Sequence, residues 1–101
     1  MLELRRHNRA TLDVPVEFVA KGSNERIVGH ARDISVGGMF IVTATPLPFS
    51  AEIVVHIVLP SQKAPFSLPG VVRWTREDGM GIQFGLIGAR ATHAITQLTR
   101  P

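Results

Sequence analysis

Residues 12–42 read LDVPVEFVAKGSNERIVGHARDISVGGMFIV, and the fold follows from how the apolar side chains are spaced in that run. Leu12, Val14, Val16 and Phe18 fall on one face of an extended chain, while Asp13, Pro15 and Glu17 fall on the other. That period of two belongs to a strand with one buried side. Pro15 has no N–H to give a ladder, which predicts an edge position or a local break. Lys21 to Glu25, with Gly22, Ser23 and Asn24 between them, supplies the turn chemistry of a hairpin. A second strand is expected from Arg26 to Ile34. Gly37 and Gly38 interrupt the chain, and Met39 to Val42 resumes as a third strand.

Downstream of this run, Thr45 to Ser50 contains Pro46 and Pro48 and reads as a loop. In Ala51 to Leu59, Ile53, Val55, Ile57 and Leu59 alternate with Val54, His56 and Val58. Both faces are largely apolar, which predicts a central strand. Phe66 to Arg76 and Met80 to Leu86 give a fifth and a sixth strand, joined by the tight Glu77-Asp78-Gly79 turn. After Gly88, the segment Ala89 to Leu98 sets Ala91, Ile95 and Leu98 on one side of a helix. Six short strands with regular turn signals, followed by one helix, predict an all-β fold. The expected form is a closed or nearly closed antiparallel barrel capped at one end.

The 101 residues fit one domain. With 45% apolar and 19% charged residues, the composition is that of a globular protein and excludes the disordered class. The absence of cysteine excludes disulfide scaffolds and thiolate metal sites. Residues 1–10 have no apolar core of the signal-peptide kind. The longest apolar stretch, Ile53 to Leu59, is interrupted by His56 and is too short to span a bilayer. A cytoplasmic protein with no membrane partner is expected.

The net charge is +3, and residues 1–10 supply +2 of it through Arg5, Arg6 and Arg9 against Glu3. A protein that coats DNA or RNA usually presents a broad basic face. Charge gathered into one short segment suits a small anion better than a polyanion, so no nucleic-acid partner is expected. Residues 1–10 read as a flexible basic ligand-binding arm, and residues 11–101 as the barrel domain.

Two constellations could carry chemistry. In the first, Arg5 and Arg9 stand four residues apart within Arg5-Arg6-His7-Asn8-Arg9. Each guanidinium is a planar fork that matches a phosphate, or the O6/N7 edge of guanine, with two hydrogen bonds. In the second, Asp33-Ile34-Ser35-Val36-Gly37-Gly38 lies where the second strand gives way to the third. The Asp33 carboxylate can accept from guanine N1–H and N2–H₂, and the Ser35 hydroxyl can donate to a phosphate or ring nitrogen. Gly37 and Gly38 remove side chains where a ligand or another backbone comes close, and permit positive φ. Taken singly, the arginine pair also fits a solvated basic tail, and the Asp-Ser-Gly segment a local turn. Taken together, the groups describe a site for an anionic guanine nucleotide.

Arg5-x-x-x-Arg9, followed two dozen residues later by Asp33-x-Ser35-x-x-Gly38, resembles the two-part signature of PilZ domains. The DISVGGMFI run of residues 33–41 and the segments VVRW and GMGIQF of residues 71–74 and 79–84 fit as well. The resemblance spans about Leu4 to Leu98. It implies a six-stranded antiparallel β-barrel with a short C-terminal α-helix and a cyclic di-GMP site. Carried over by position, it puts Arg5 and Arg9 on guanine and phosphate, and Asp33 and Ser35 on the base and sugar-phosphate, with Gly38 allowing close approach. Arg6 and Gly37 adjoin that set. Leu4, in place of a further arginine, favours one ligand molecule per domain. Ordering of the arm on binding would change the surface offered to a protein effector; the C-terminal region, which in this family often mediates dimerisation or contact with a neighbouring domain, leaves a homodimer open.

Trp74 sits between Arg73 and Arg76, where an aromatic ring can stack a base, although a lone barrel tryptophan more often packs in the core or at the rim. Met39, Met80 and the phenylalanines are expected in the core. His7, His30, His56 and His93 show no ligand spacing, so no metal is expected. No Ser–His–Asp order, phosphate-binding loop or paired carboxylates argue for an enzyme. The expectation is therefore a receptor that binds cyclic di-GMP, uses no cofactor and signals by ordering its arm. The alternative is a module of the same fold that binds proteins and no nucleotide. A single-stranded nucleic-acid binder would need exposed aromatics and a wide basic groove that the sequence lacks.

Overall fold

The computed structural model describes residues 9–100. Six strands, β1 (Ala10–Ala20), β2 (Ile27–Ser35), β3 (Gly38–Val42), β4 (Glu52–Ile57), β5 (Phe66–Arg76) and β6 (Gly79–Phe84), precede one helix, α1 (Gly88–Thr99). The strands close into an antiparallel barrel in the order β1-β2-β3-β6-β5-β4, with β4 returning to β1. Closure removes both sheet edges, so no strand is left with an unpaired row of backbone groups.

Alternation fills the interior. Leu12, Val16 and Phe18 from β1 meet Ile53, Val55 and Ile57 from β4, Leu68 and Val72 from β5, and Met80 and Ile82 from β6 in one buried cluster. Helix α1 adds Ala91, Ala94 and Ile95 to that cluster and packs against β2. It begins one residue before the expected segment and ends one after it, with Ala91 and Ile95 buried and Leu98 partly so.

Several expectations change in detail. Pro15 lies on no edge; the break it predicts is present, since the β1–β2 register shifts between Thr11 and Val14 and pairing with β4 starts only at Val16. Ala10, assigned to the arm, is the first residue of β1 and pairs with Ile34. β4 is not central, because a closed barrel has no centre. Its second apolar face looks outward, leaving Val54 and neighbouring Val58 exposed. Phe49 is also outside the core, on the loop before β4.

Candidate functional site

Cross-strand pairing assembles a row of residues on the outer wall. Thr11 of β1 pairs with Asp33 of β2, Asp33 with Phe40 of β3, Phe40 with Gly81 of β6, and Gly81 with Trp74 of β5. A second row, one pleat repeat away, runs from Ser35 through Gly38 and Gln83 to Val71. Residues from both rows line one open hollow of ≈ 780 Å³.

Two bulges shape this wall. The β2–β3 register shifts between Ala31 and Asp33, and the β5–β6 register shifts between Val72 and Trp74. Strict alternation from buried Val72 would turn Trp74 inward. With Arg73 as the extra residue, Trp74 turns out and stays 45% exposed. The bare backbone of Gly81 makes room for it. A Cβ at Gly81 would overlap Cε2 and Nε1 of the indole, so Trp74 lies flat on β6 and reaches Phe40 across it. The two rings stack with centroids 5.2 Å apart and planes 12° from parallel. The Arg76 guanidinium lies 4.9 Å from the Trp74 centroid and 5.1 Å from that of Phe40, within cation–π range. Phe40 is thus buried on the outer wall beneath Trp74 and Arg76, where the sequence reading assigned it to the core.

At the other end of the hollow, Arg9 Nη1 donates to Asp33 Oδ1 at 2.6 Å, joining one residue from each motif. Ser35 is buried, and its Oγ accepts from the Gly37 N–H at 3.2 Å; among the described residues its hydroxyl proton has no acceptor. Gly38 serves packing between strands, since a Cβ there would overlap the Ile82 carbonyl oxygen. Among the described residues, positive φ at glycine occurs at Gly22 and Gly88, so Gly37 and Gly38 do not use the freedom expected of them. Among the described residues, Arg32, Arg73 and Arg76 join Arg9 in lining the hollow, against the single carboxylate of Asp33. Such a surface favours an anion that also carries a flat ring.

Of the sequence-predicted site, Arg9, Asp33, Ser35, Gly37, Gly38 and Trp74 come together. Arg5, Arg6 and His7, with nearly all of the arm, lie outside the described residues. Sequence reasoning missed Phe40, Arg32 and Gln83, and treated Arg73 and Arg76 only as neighbours of Trp74. A glycine within a strand often marks close approach, and Gly81 was the signal for the buried end of the aromatic stack. Among the described residues no three His, Asp or Glu side chains gather as a metal ion would need, and no helix is long and apolar enough to cross a membrane.

Comparison with known proteins gives a family and a set of like folds. A model of the PilZ domain family matches residues 3–100. The cellulose synthase catalytic subunit of Xanthomonas axonopodis pv. citri (strain 306) is 33% identical over 82 residues, which make up 81% of this chain and 11% of that protein. Bacillus subtilis MotI/DgrA, an inhibitor of motility, superposes with a TM-score of 0.79 at 24% identity, covering 95% of this chain and 49% of that one. The PilZ domain of YcgR from Escherichia coli, solved with cyclic di-GMP, gives a TM-score of 0.75 at 12% identity, covering 96% and 89%. The chain therefore spans about a tenth of the synthase and about half of MotI/DgrA.

Proposed function

The chain belongs to the PilZ domain family, and from that premise we propose that it is a cytoplasmic receptor for cyclic di-GMP that signals to a protein effector and performs no catalysis. The observation that carries this reading is the contact of Arg9 with Asp33 at the mouth of an arginine-lined hollow that also holds the Trp74–Phe40 stack. One motif arginine and the motif carboxylate already share a place.

Binding exchanges partners within that place. Asp33 gives up Arg9 and accepts the N1–H and N2–H₂ of guanine, while Arg9, freed from the carboxylate, takes a phosphate or the O6/N7 edge. Arg9 and Asp33 are each about a third exposed, and an ion pair so open to solvent is worth about 0–1 kcal/mol. Opening it costs less than the roughly 1.5–3 kcal/mol of one charge-assisted hydrogen bond to the ligand. Ser35 donates its hydroxyl proton to the sugar-phosphate, and Trp74 supports a base by stacking. Gly37 and Gly38 keep the wall between them low. Arg5, with Arg6 beside it, closes over the ligand from the arm that precedes β1. Ordering that arm changes the surface offered to the effector.

The YcgR domain solved with cyclic di-GMP supports the ligand, and the motility inhibitor among the like folds supports motility as a process under control. Calorimetric titration with cyclic di-GMP tests the reading. Arg9→Ala or Asp33→Ala should weaken saturable binding by about tenfold or more. A flat trace for the unaltered protein would instead leave a protein-interaction module that keeps the fold without the ligand.

A further inference from the structure

Arg73 and Gln83 take no part in the two motifs, yet they stand together in the same hollow. Arg73 Nε donates to Gln83 Oε1. That bond occupies one lone pair of the Gln83 amide oxygen and turns its NH₂ away from Arg73. Among the described residues, neither terminal nitrogen of Arg73 has a hydrogen-bond partner. The pair is exposed and offers donors in the Gln83 NH₂ and the terminal Arg73 N–H groups. Gln83 pairs with Gly38, and Gly38 pairs with Ser35, so no side chain rises between the amide and the Ser35 hydroxyl. Ser35 and Gln83 are two strand spacings apart, about 10 Å.

Donors therefore border the space over Gly38 on two sides: the Ser35 hydroxyl from β2, and the Gln83 amide with the Arg73 guanidinium behind it from β6 and β5. A purine edge presents its acceptors in one plane and would leave some of these unmatched. The oxygens of a tetrahedral phosphate are spread in three dimensions and carry charge, which suits such a set. Resting on the cyclic di-GMP reading above, we infer that Arg73 and Gln83 form a second phosphate subsite, which takes the phosphate of the ring that the arm does not hold. The β5 bulge that turns Trp74 outward also supplies Arg73, so stacking and phosphate capture come from one irregularity.

The test is calorimetric titration of cyclic di-GMP into the unaltered protein and the variants Arg73→Gln, Gln83→Glu and Arg26→Gln. Gln83→Glu keeps an acceptor for Arg73 but puts negative charge where the amide donated. Arg26→Gln removes the same unit of charge as Arg73→Gln on another part of the wall, where Arg26 pairs with Glu17. Arg73, Gln83 and Arg26 are all exposed, so thermal melting should show folded proteins throughout. The subsite predicts at least about tenfold weaker binding for Arg73→Gln and Gln83→Glu, and a change within about twofold for Arg26→Gln. If the unaltered protein binds and Arg73→Gln and Gln83→Glu bind equally well, the subsite is overturned and the receptor reading stands. Equal losses in Arg73→Gln and Arg26→Gln would assign the effect to net charge and also overturn it. If the unaltered protein binds nothing, both readings fall.

Discussion

Gly81 decides where the aromatic surface of the hollow lies. Its missing side chain is what lets the Trp74 indole rest on β6 against Phe40. Gly81→Ala should push the ring off this seat at about 1–3 kcal/mol of stability, as overpacking does, and shift the emission of the single tryptophan to the red. An unchanged spectrum would show that the seat is not as described. Trp74→Ala removes the stacking platform without touching a hydrogen bond. It should weaken cyclic di-GMP binding by roughly 1–3 kcal/mol, the value of a base on an aromatic ring, measured by titration. Arg9, Asp33 and Ser35 were legible at this scale because each is a residue type with one plain use, spaced as the motif requires. Phe40 was not: an apolar residue in a strand is read as core, and nothing in its identity says that it packs on the outer wall.

Strands were legible as elements wherever alternation was unbroken, as in Ile53, Val55 and Ile57 of β4. What alternation cannot register is a bulge. One extra residue at Arg73 and another at Arg32 reverse the facing of everything that follows until the ladder recovers, and both bulges flank the hollow. Closure was also partly hidden, because pairing of β4 with β1 joins segments over thirty residues apart in the chain, such as Val19 with Val54. This left Ala51 to Leu59 reading as a central strand. The helix was readable because Ala91, Ile95 and Leu98 share a side. α1 packs on β2 and contributes to the core rather than to the wall of the hollow. Ile95, fully buried, should lose about 2–5 kcal/mol of stability on truncation to alanine, by denaturant unfolding. The folded fraction of Ile95→Ala should bind cyclic di-GMP within about twofold of the unaltered protein, whereas a large loss would make the helix part of the site.

For the molecule as a whole, charge and shape coincide on one part of the barrel. The net charge is small, +3, but four arginines and one carboxylate line a single hollow among the described residues. Because those side chains stand at the surface, salt should screen their attraction for a dianion, and affinity should fall as ionic strength rises. Ligand bound only by the folded barrel also adds to its stability, by about 2.7 kcal/mol at a free concentration one hundred times Kd. A melting temperature that does not respond to cyclic di-GMP would contradict binding to the folded state. The central claim is narrower still: the Asp33 carboxylate reads a guanine edge beside cations that hold phosphate. Adenine has an acceptor at N1 where guanine has a donor, so the most direct measurement is a parallel calorimetric titration with cyclic di-GMP and cyclic di-AMP. The account predicts saturable heat with the guanine compound, little with the adenine compound, and loss of the difference in Asp33→Ala. Equal heats for the two compounds, or none for either, would contradict it.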